Sequence, residues 1–77
     1  MRRYHFDLVE SDTITIDEEG LELGNLQAVQ VEAGRSLAVF AWDSAKNFDP
    51  HAVSIEVRDA DGRVLTYRLA LEIHRAI

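Results

Sequence analysis

The sequence predicts an α+β fold of order β-β-α-β-β, with one long helix packed on a four-stranded antiparallel sheet. Three observations lead there. Only one stretch, Asn25 to about Lys46, is long and continuous enough to be a helix. On both sides of it apolar residues alternate with polar ones at period two, the pattern of half-buried strands. The alternating segments also come in two pairs, each broken by a short polar turn.

The first strand carries Tyr4, Phe6 and Leu8 on one face and His5, Asp7 and Val9 on the other. Glu10-Ser11-Asp12 reads as a turn. Thr13 to Ile16 reads as a second, β-branched strand. Pairing Leu8 with Ile14 and Phe6 with Ile16 keeps the large apolar side chains on one face. A slip of one residue would put both isoleucines in water. Asp17-Glu18-Glu19-Gly20 ends this strand, with Gly20 free to take positive φ. Leu21 and Leu23 are expected to tuck under the start of the helix as a staple-like contact.

Asn25 is the expected N-cap, since its side-chain oxygen can accept from a free amide of the first turn. Leu26, Val29, Ala33, Leu37, Phe40, Ala41 and Ser44 follow the spacing of one helical face, which should cover the sheet. The far face carries Val31, Arg35, Ala38, Val39, Trp42 and Lys46. Scattered surface apolars are normal. Here, however, three large ones share a stripe that the sheet does not need, and the sharper reading is a surface for a partner or a second copy. Gly34 in mid-helix costs about 1 kcal/mol relative to alanine, unless it permits a close approach. Asn47 and Pro50 should stop the helix.

Phe48 to His51 reads as a connector. Val53, Ile55 and Val57 then alternate in a third strand, and Leu65, Tyr67 and Leu69 in a fourth. A three-residue loop from Ala60 to Gly62 aligns Val57 with Leu65, Ile55 with Tyr67 and Val53 with Leu69. This predicts a type I turn with a bulge at a positive-φ Gly62. The tail from Ala70 to Ile77 is open: Leu71 could extend the strand, and Glu72 to Ile77 could form a short helical turn or fray. A right-handed crossover through the helix, with strand three beside strand one, gives an antiparallel sheet ordered 2-1-3-4.

The 77 residues are expected to form a single domain, 1–77. A chain this short buries only about 60% of its extended surface, so burial against a second surface would help it. There is no cysteine, which excludes disulfides and thiolate zinc sites. The opening Met-Arg-Arg-Tyr-His-Phe-Asp lacks the apolar run of a signal peptide. No stretch approaches the ~20 apolar residues of a membrane span. The cytoplasm is the expected compartment, with no membrane partner. Net charge is -6, and no Lys or Arg occurs between Tyr4 and Gly34. That balance argues against nucleic-acid binding, which needs a basic footprint.

Arg3-Tyr4-His5-Phe6, Asp17-Glu18-Glu19-Gly20-Leu21-Glu22-Leu23, Asn25-Leu26, Ile55-Glu56-Val57 and Asp61-Gly62-Arg63-Val64-Leu65 follow one another along nearly the whole chain. In order and spacing they resemble a family of short alphaproteobacterial proteins of unknown function that typically open Arg-Tyr-Phe-Phe. The resemblance implies no activity, cofactor or catalytic residue, and suggests a bacterial cytoplasmic setting. The chain departs from that pattern at His5, where the family has an aromatic residue. It departs again at Ala38, Val39 and Trp42, where the family's helix is charged or small. A shorter likeness, to the HicB type of antitoxin, lies in the order of hairpin, acidic turn and Leu-x-x-Ala helix.

Few constellations carry chemistry. His5 and Asp7 share one strand face, and an Asp can orient a His for base catalysis, but no nucleophile stands nearby. Ser11 and Ser54 read as ordinary turn and strand residues. The acids from Asp12 to Glu22 lack calcium-loop spacing, and Asp59-x-Asp61-Gly62 has Val57 where an acid would be needed. His5, His51 and His74 have no ligand spacing, so no metal and no cofactor are expected. The open sheet face, expected to carry His5, Thr13, Thr15, Glu56, Arg58, Thr66 and Arg68, offers only His5 for stacking a base. No phosphate-binding glycine motif occurs. The reading that results is a non-enzymatic protein-binding module. It would associate with a partner or with itself through Val31, Arg35, Ala38, Val39 and Trp42. The alternatives are an antitoxin-like regulator and, least favoured, an enzyme using His5 and Asp7.

Overall fold

The computed structural model describes residues 1–46, 52–70, 72 and 74–76, apart from the side chains of residues 44 and 45. Its elements are β1 (Arg2–Glu10), β2 (Thr13–Thr15), β3 (Leu21–Leu23), α1 (Leu26–Lys46), β4 (Ala52–Asp59) and β5 (Gly62–Ala70). The main path of the sheet runs β2-β1-β4-β5, antiparallel at every step. This is the expected order, with one long helix packed on four antiparallel strands. Asn25 caps that helix, its Oδ1 accepting from the Ala28 amide at 2.8 Å.

Val53, Ile55 and Val57 of β4 are fully buried and form the floor of the core. Tyr4 and Leu8 lie beside them, and Val29, Ala33 and Leu37 of α1 close it from above. Ala41 is buried too, and Phe40 packs at the margin. Leu26 departs from the expected face. It stands at the helix start and is 51% exposed. A Cβ on Gly34 would lie 3.3 Å from the Tyr67 ring, so the glycine lets α1 settle closely on β5. The expected helix stop at Asn47 and Pro50, the connector at Phe48 to His51, and Leu71 fall outside the described residues.

The register of the first hairpin differs from the expected one. Leu8 pairs with Thr15, Val9 with Ile14 and Glu10 with Thr13. Ser11 takes a φ of 49°, so the loop closes on two residues, Ser11 and Asp12. The one-residue shift turns Ile14 away from the helix side, and Ile14 and Ile16 are 62% and 54% exposed. By the same shift Thr13 and Thr15 leave the open face for the helix side. Turn geometry overrides the apolar pattern here because β2 has only three residues.

The second hairpin keeps the expected register: Val57 with Leu65, Ile55 with Tyr67 and Val53 with Leu69. Gly62 has positive φ, 126°. The loop, however, is not the expected three residues from Ala60 to Gly62: Asp59 pairs with Gly62, and the ladder closes on two, Ala60 and Asp61. The extra residue falls at Val64, between the pairs Arg58–Arg63 and Val57–Leu65, rather than at Gly62 itself.

One strand is additional. Leu21–Leu23, expected only as a contact under the helix, forms β3 and pairs with Arg2, Arg3 and Tyr4. The outer edge of β1 therefore carries β3 at its start and β2 at its end. Between them, the edge at His5, Phe6 and Asp7 faces the loop from Ile16 to Gly20.

Candidate functional site

The residues expected to bind a partner lie on the solvent side of α1. Val31 is 66% exposed, Trp42 65% and Val39 51%. Ala38 is also exposed, and Arg35 is held by Glu32 one turn back through a 2.6 Å contact to Oε2. The helical advance of about 100° per residue places these side chains more closely. Gly34 marks the flank over β5, and Phe40 marks the flank over β1, where it lines a groove with Phe6 and Leu8. Ala38, Val31 and Trp42 follow Gly34 at roughly 40°, 60° and 80° around the helix, away from Phe40. Ala38 and Val31 form the shoulder of α1 above β5, and Trp42 stands between them and the crest. Arg35 and Val39 stand further round, on its crest.

His5 and Asp7, the other pair singled out, are not the free polar couple expected on an open face. Asp7 is 8% exposed. Its Oδ2 accepts from Arg58 Nε at 2.8 Å, and its Oδ1 accepts from the Asp17 amide at 2.9 Å. Arg58 Nη2 donates to the Asp17 carbonyl at 3.1 Å. His5 Nδ1 donates to that same carbonyl at 2.8 Å. A carbonyl can only accept, so this bond sets the proton on Nδ1. The Asp17 carboxylate then takes the Phe6 amide at 3.0 Å and the Gly20 amide at 3.1 Å. Asp17 thus fills the gap between β2 and β3, satisfying a strand edge that has no strand beside it. Gly20, at φ 73°, lies so close to β1 that a Cβ would stand 2.9 Å from the Tyr4 carbonyl oxygen.

The charges in this knot support one another. Burial pushes the Asp7 carboxyl up, but the Arg58 guanidinium and the Asp17 amide outweigh it, and the group stands below the ordinary carboxylate value. Asp17 behaves alike: burial raises it, while the amides of Phe6 and Gly20 and the nearby His5 bring it below. Arg58 is raised, chiefly by its bond to Asp7. The bonds of the knot all run between parts of the same chain. Its chemistry is that of a latch holding the 16–20 loop against β1.

Sequence reasoning found the turn at Asp17 to Gly20 but not its return to β1. The one available signal was Asp17 three residues before Gly20, a side chain that can accept from its own turn. Beside the knot, Phe6, Leu8, Thr15, Ile16, Asp17 and Phe40 line an open groove of about 440 Å³. Among the described residues no group of three or more His, Asp or Glu side chains is placed to hold a metal ion. No helix among them is long and apolar enough to cross a membrane.

Neither the curated proteins nor the solved structures provide a match to this chain. A family of domains does: the one described as a domain of unknown function, DUF6894, matches residues 3–71. That span takes in the helix and, but for Arg2, every strand among the described residues, and the chain belongs to this family.

Proposed function

We propose that this chain is a small non-enzymatic binding module that associates with a second copy of itself through α1. The observation that carries the reading is the exposed set Val31, Ala38 and Trp42 on the solvent side of the helix. The Trp42 indole is 65% exposed beside the exposed Ala38 and Val39 one turn back, and contiguous apolar patches of this kind mark interaction sites. Trp and Arg are also common anchors at protein interfaces. A domain with so few fully buried side chains gains proportionately from burying such a stripe, at ~25 cal/mol per Å² of apolar area. The engagement of His5, Asp7 and Arg58 in internal bonds supports a structural role for them rather than catalysis. The net charge of -6 supports a protein partner rather than a nucleic acid. The likeness of the opening Arg3-Tyr4-His5-Phe6 to short alphaproteobacterial proteins supports a bacterial, cytoplasmic setting.

Sedimentation of the native protein and of Trp42→Ala tests the reading. The expected result is a concentration-dependent dimer that Trp42→Ala weakens at least tenfold. A native protein that stays monomeric at millimolar concentration, with its tryptophan emission blue-shifted and protected from quencher, would exclude it.

A further inference from the structure

We infer that two copies join edge to edge through β5, forming one continuous antiparallel sheet of both chains with the two helices side by side on it. This rests on the self-association proposed above and specifies its geometry. Among the described residues no strand lies on the outer side of β5, so a nine-residue strand leaves a row of backbone donors and acceptors unpaired by any ladder. Leu69, on its helix-side face, is 40% exposed. Edge pairing satisfies such a row and covers the apolar side chains that alternate along it.

The position of the helix stripe favours a second copy as the occupant. Ala38 and Val31 lie on the shoulder of α1 above β5, Trp42 stands between them and the crest, and none of the three lies above β1. Antiparallel pairing of β5 with its twin places a two-fold axis perpendicular to the sheet, with both helices on the same face. α1 packs on β4 and β5. A helix centred between these strands stands about 5 Å from that axis, so two of them lie roughly 10 Å apart, the spacing of packed helices. The symmetry makes them antiparallel, so the C-terminal half of one helix, with Trp42, lies along the N-terminal half of the other. One operation therefore closes the free edge and covers the stripe, although the two features lie on different elements.

The residues also select a register. The bulge at Val64 interrupts the strand, leaving Leu65 to Ala70 regular. Centring the axis on Arg68 would set two guanidinium groups opposite each other, and centring it on Thr66 would set the bulge against Arg68. Centring it on Tyr67 pairs Leu65 with Leu69 of the other copy on the helix side, and Thr66 with Arg68 on the open side. It also puts the axis beside Gly34, which touches Tyr67, and so near the middle of the helix.

The chain has no cysteine, which allows a direct test. Thr66→Cys and Arg68→Cys chains, mixed and gently oxidised, should give a covalent heterodimer. Directly opposite residues bring their Cβ atoms to about 5 Å, within reach of a disulfide. The expected yield of the mixed pair exceeds that of either chain alone by at least fivefold, and Ala60→Cys at the hairpin tip should not cross-link. A dimer by sedimentation that Trp42→Ala weakens, but with no preferential link between positions 66 and 68, would overturn the edge pairing while leaving helix association standing. A monomer throughout would overturn both.

Discussion

The Asp7 carboxylate accepts the backbone amide of Asp17, ten residues further along, at 2.9 Å, while its other oxygen holds Arg58 at 2.8 Å. One side chain thus ties three segments together: the first strand, the loop after β2, and the central strand β4.

Asp7→Ala should therefore destabilise the domain well beyond an ordinary surface change. Arg58 loses a charge-assisted partner and the Asp17 amide loses its acceptor. Breaking a fully buried pair costs about 3–5 kcal/mol, and the partial exposure of Arg58 reduces this to about 2 kcal/mol. Asp7→Asn keeps an acceptor for the Asp17 amide and should lose about 1 kcal/mol. Urea unfolding measures both. Losses within ~0.5 kcal/mol for each, the range of an unconstrained surface site, would remove the latch role.

The same carboxyls make stability depend on acid. Asp7 and Asp17 both stand below their ordinary value in the folded chain, so the unfolded chain binds more protons in acid. Their contribution is complete above the unfolded carboxylate value, about pH 4, and disappears as pH falls through the lower folded values. Asp17→Asn should flatten this acid loss. Unfolding curves from pH 6 down to about pH 2.5 for the two proteins would show it. Parallel curves would mean that the acid sensitivity lies elsewhere.

Two glycines of positive φ should respond unequally to alanine. At Gly62 nothing lies within 4 Å of the added carbon, and the cost is backbone strain alone, about 1 kcal/mol. At Gly20 the carbon would also meet the Tyr4 carbonyl oxygen at 2.9 Å, and paired backbone cannot yield as a side-chain tip can. Gly20→Ala should cost at least twice as much as Gly62→Ala, on the order of 2–3 kcal/mol. Thermal unfolding of both variants compares them directly.

Ile14 and Ile55 test the register of the first hairpin. Ile14 is mostly exposed and Ile55 is buried to within 1%. Ile14→Thr should change stability by no more than ~0.5 kcal/mol. Ile55→Ala should cost about 3 kcal/mol or more, through lost burial and the cavity left behind. A large loss at Ile14 would favour the alternative pairing with Leu8 over the pairing with Val9.

The elements with the strongest periodicity were the most legible in the sequence. The helix, its Asn25 cap and the β4–β5 register all follow from spacing, because a slip in any of them would bring polar groups into the core. The face of Ile14 was not legible. Its pairing is decided by the positive φ of Ser11, a residue with no strong preference for that conformation, and three-residue β2 buries too little to oppose it. β3 escaped for a similar reason: Leu21 and Leu23 alternate over only three residues. The latch was invisible because its bonds run from side chains to a loop backbone, which no periodicity records. For the helix stripe, helical spacing indicated which residues are exposed, but only the contact of Gly34 with Tyr67 revealed which side of the helix faces β5.

The long separation between the central strands bears on how the chain acquires its shape. Asp7 and Arg58, partners across β1 and β4, are fifty-one positions apart, whereas α1 and the β4–β5 hairpin use near neighbours. Closing so long a loop costs entropy before any ladder bond forms, and non-local pairing slows folding. The arrival of β1 beside β4 is thus the expected rate-limiting event. On a ribosome, the β1–β2–β3 segment leaves the exit tunnel ahead of β4 and waits, without the neighbour that completes it, until β4 has followed.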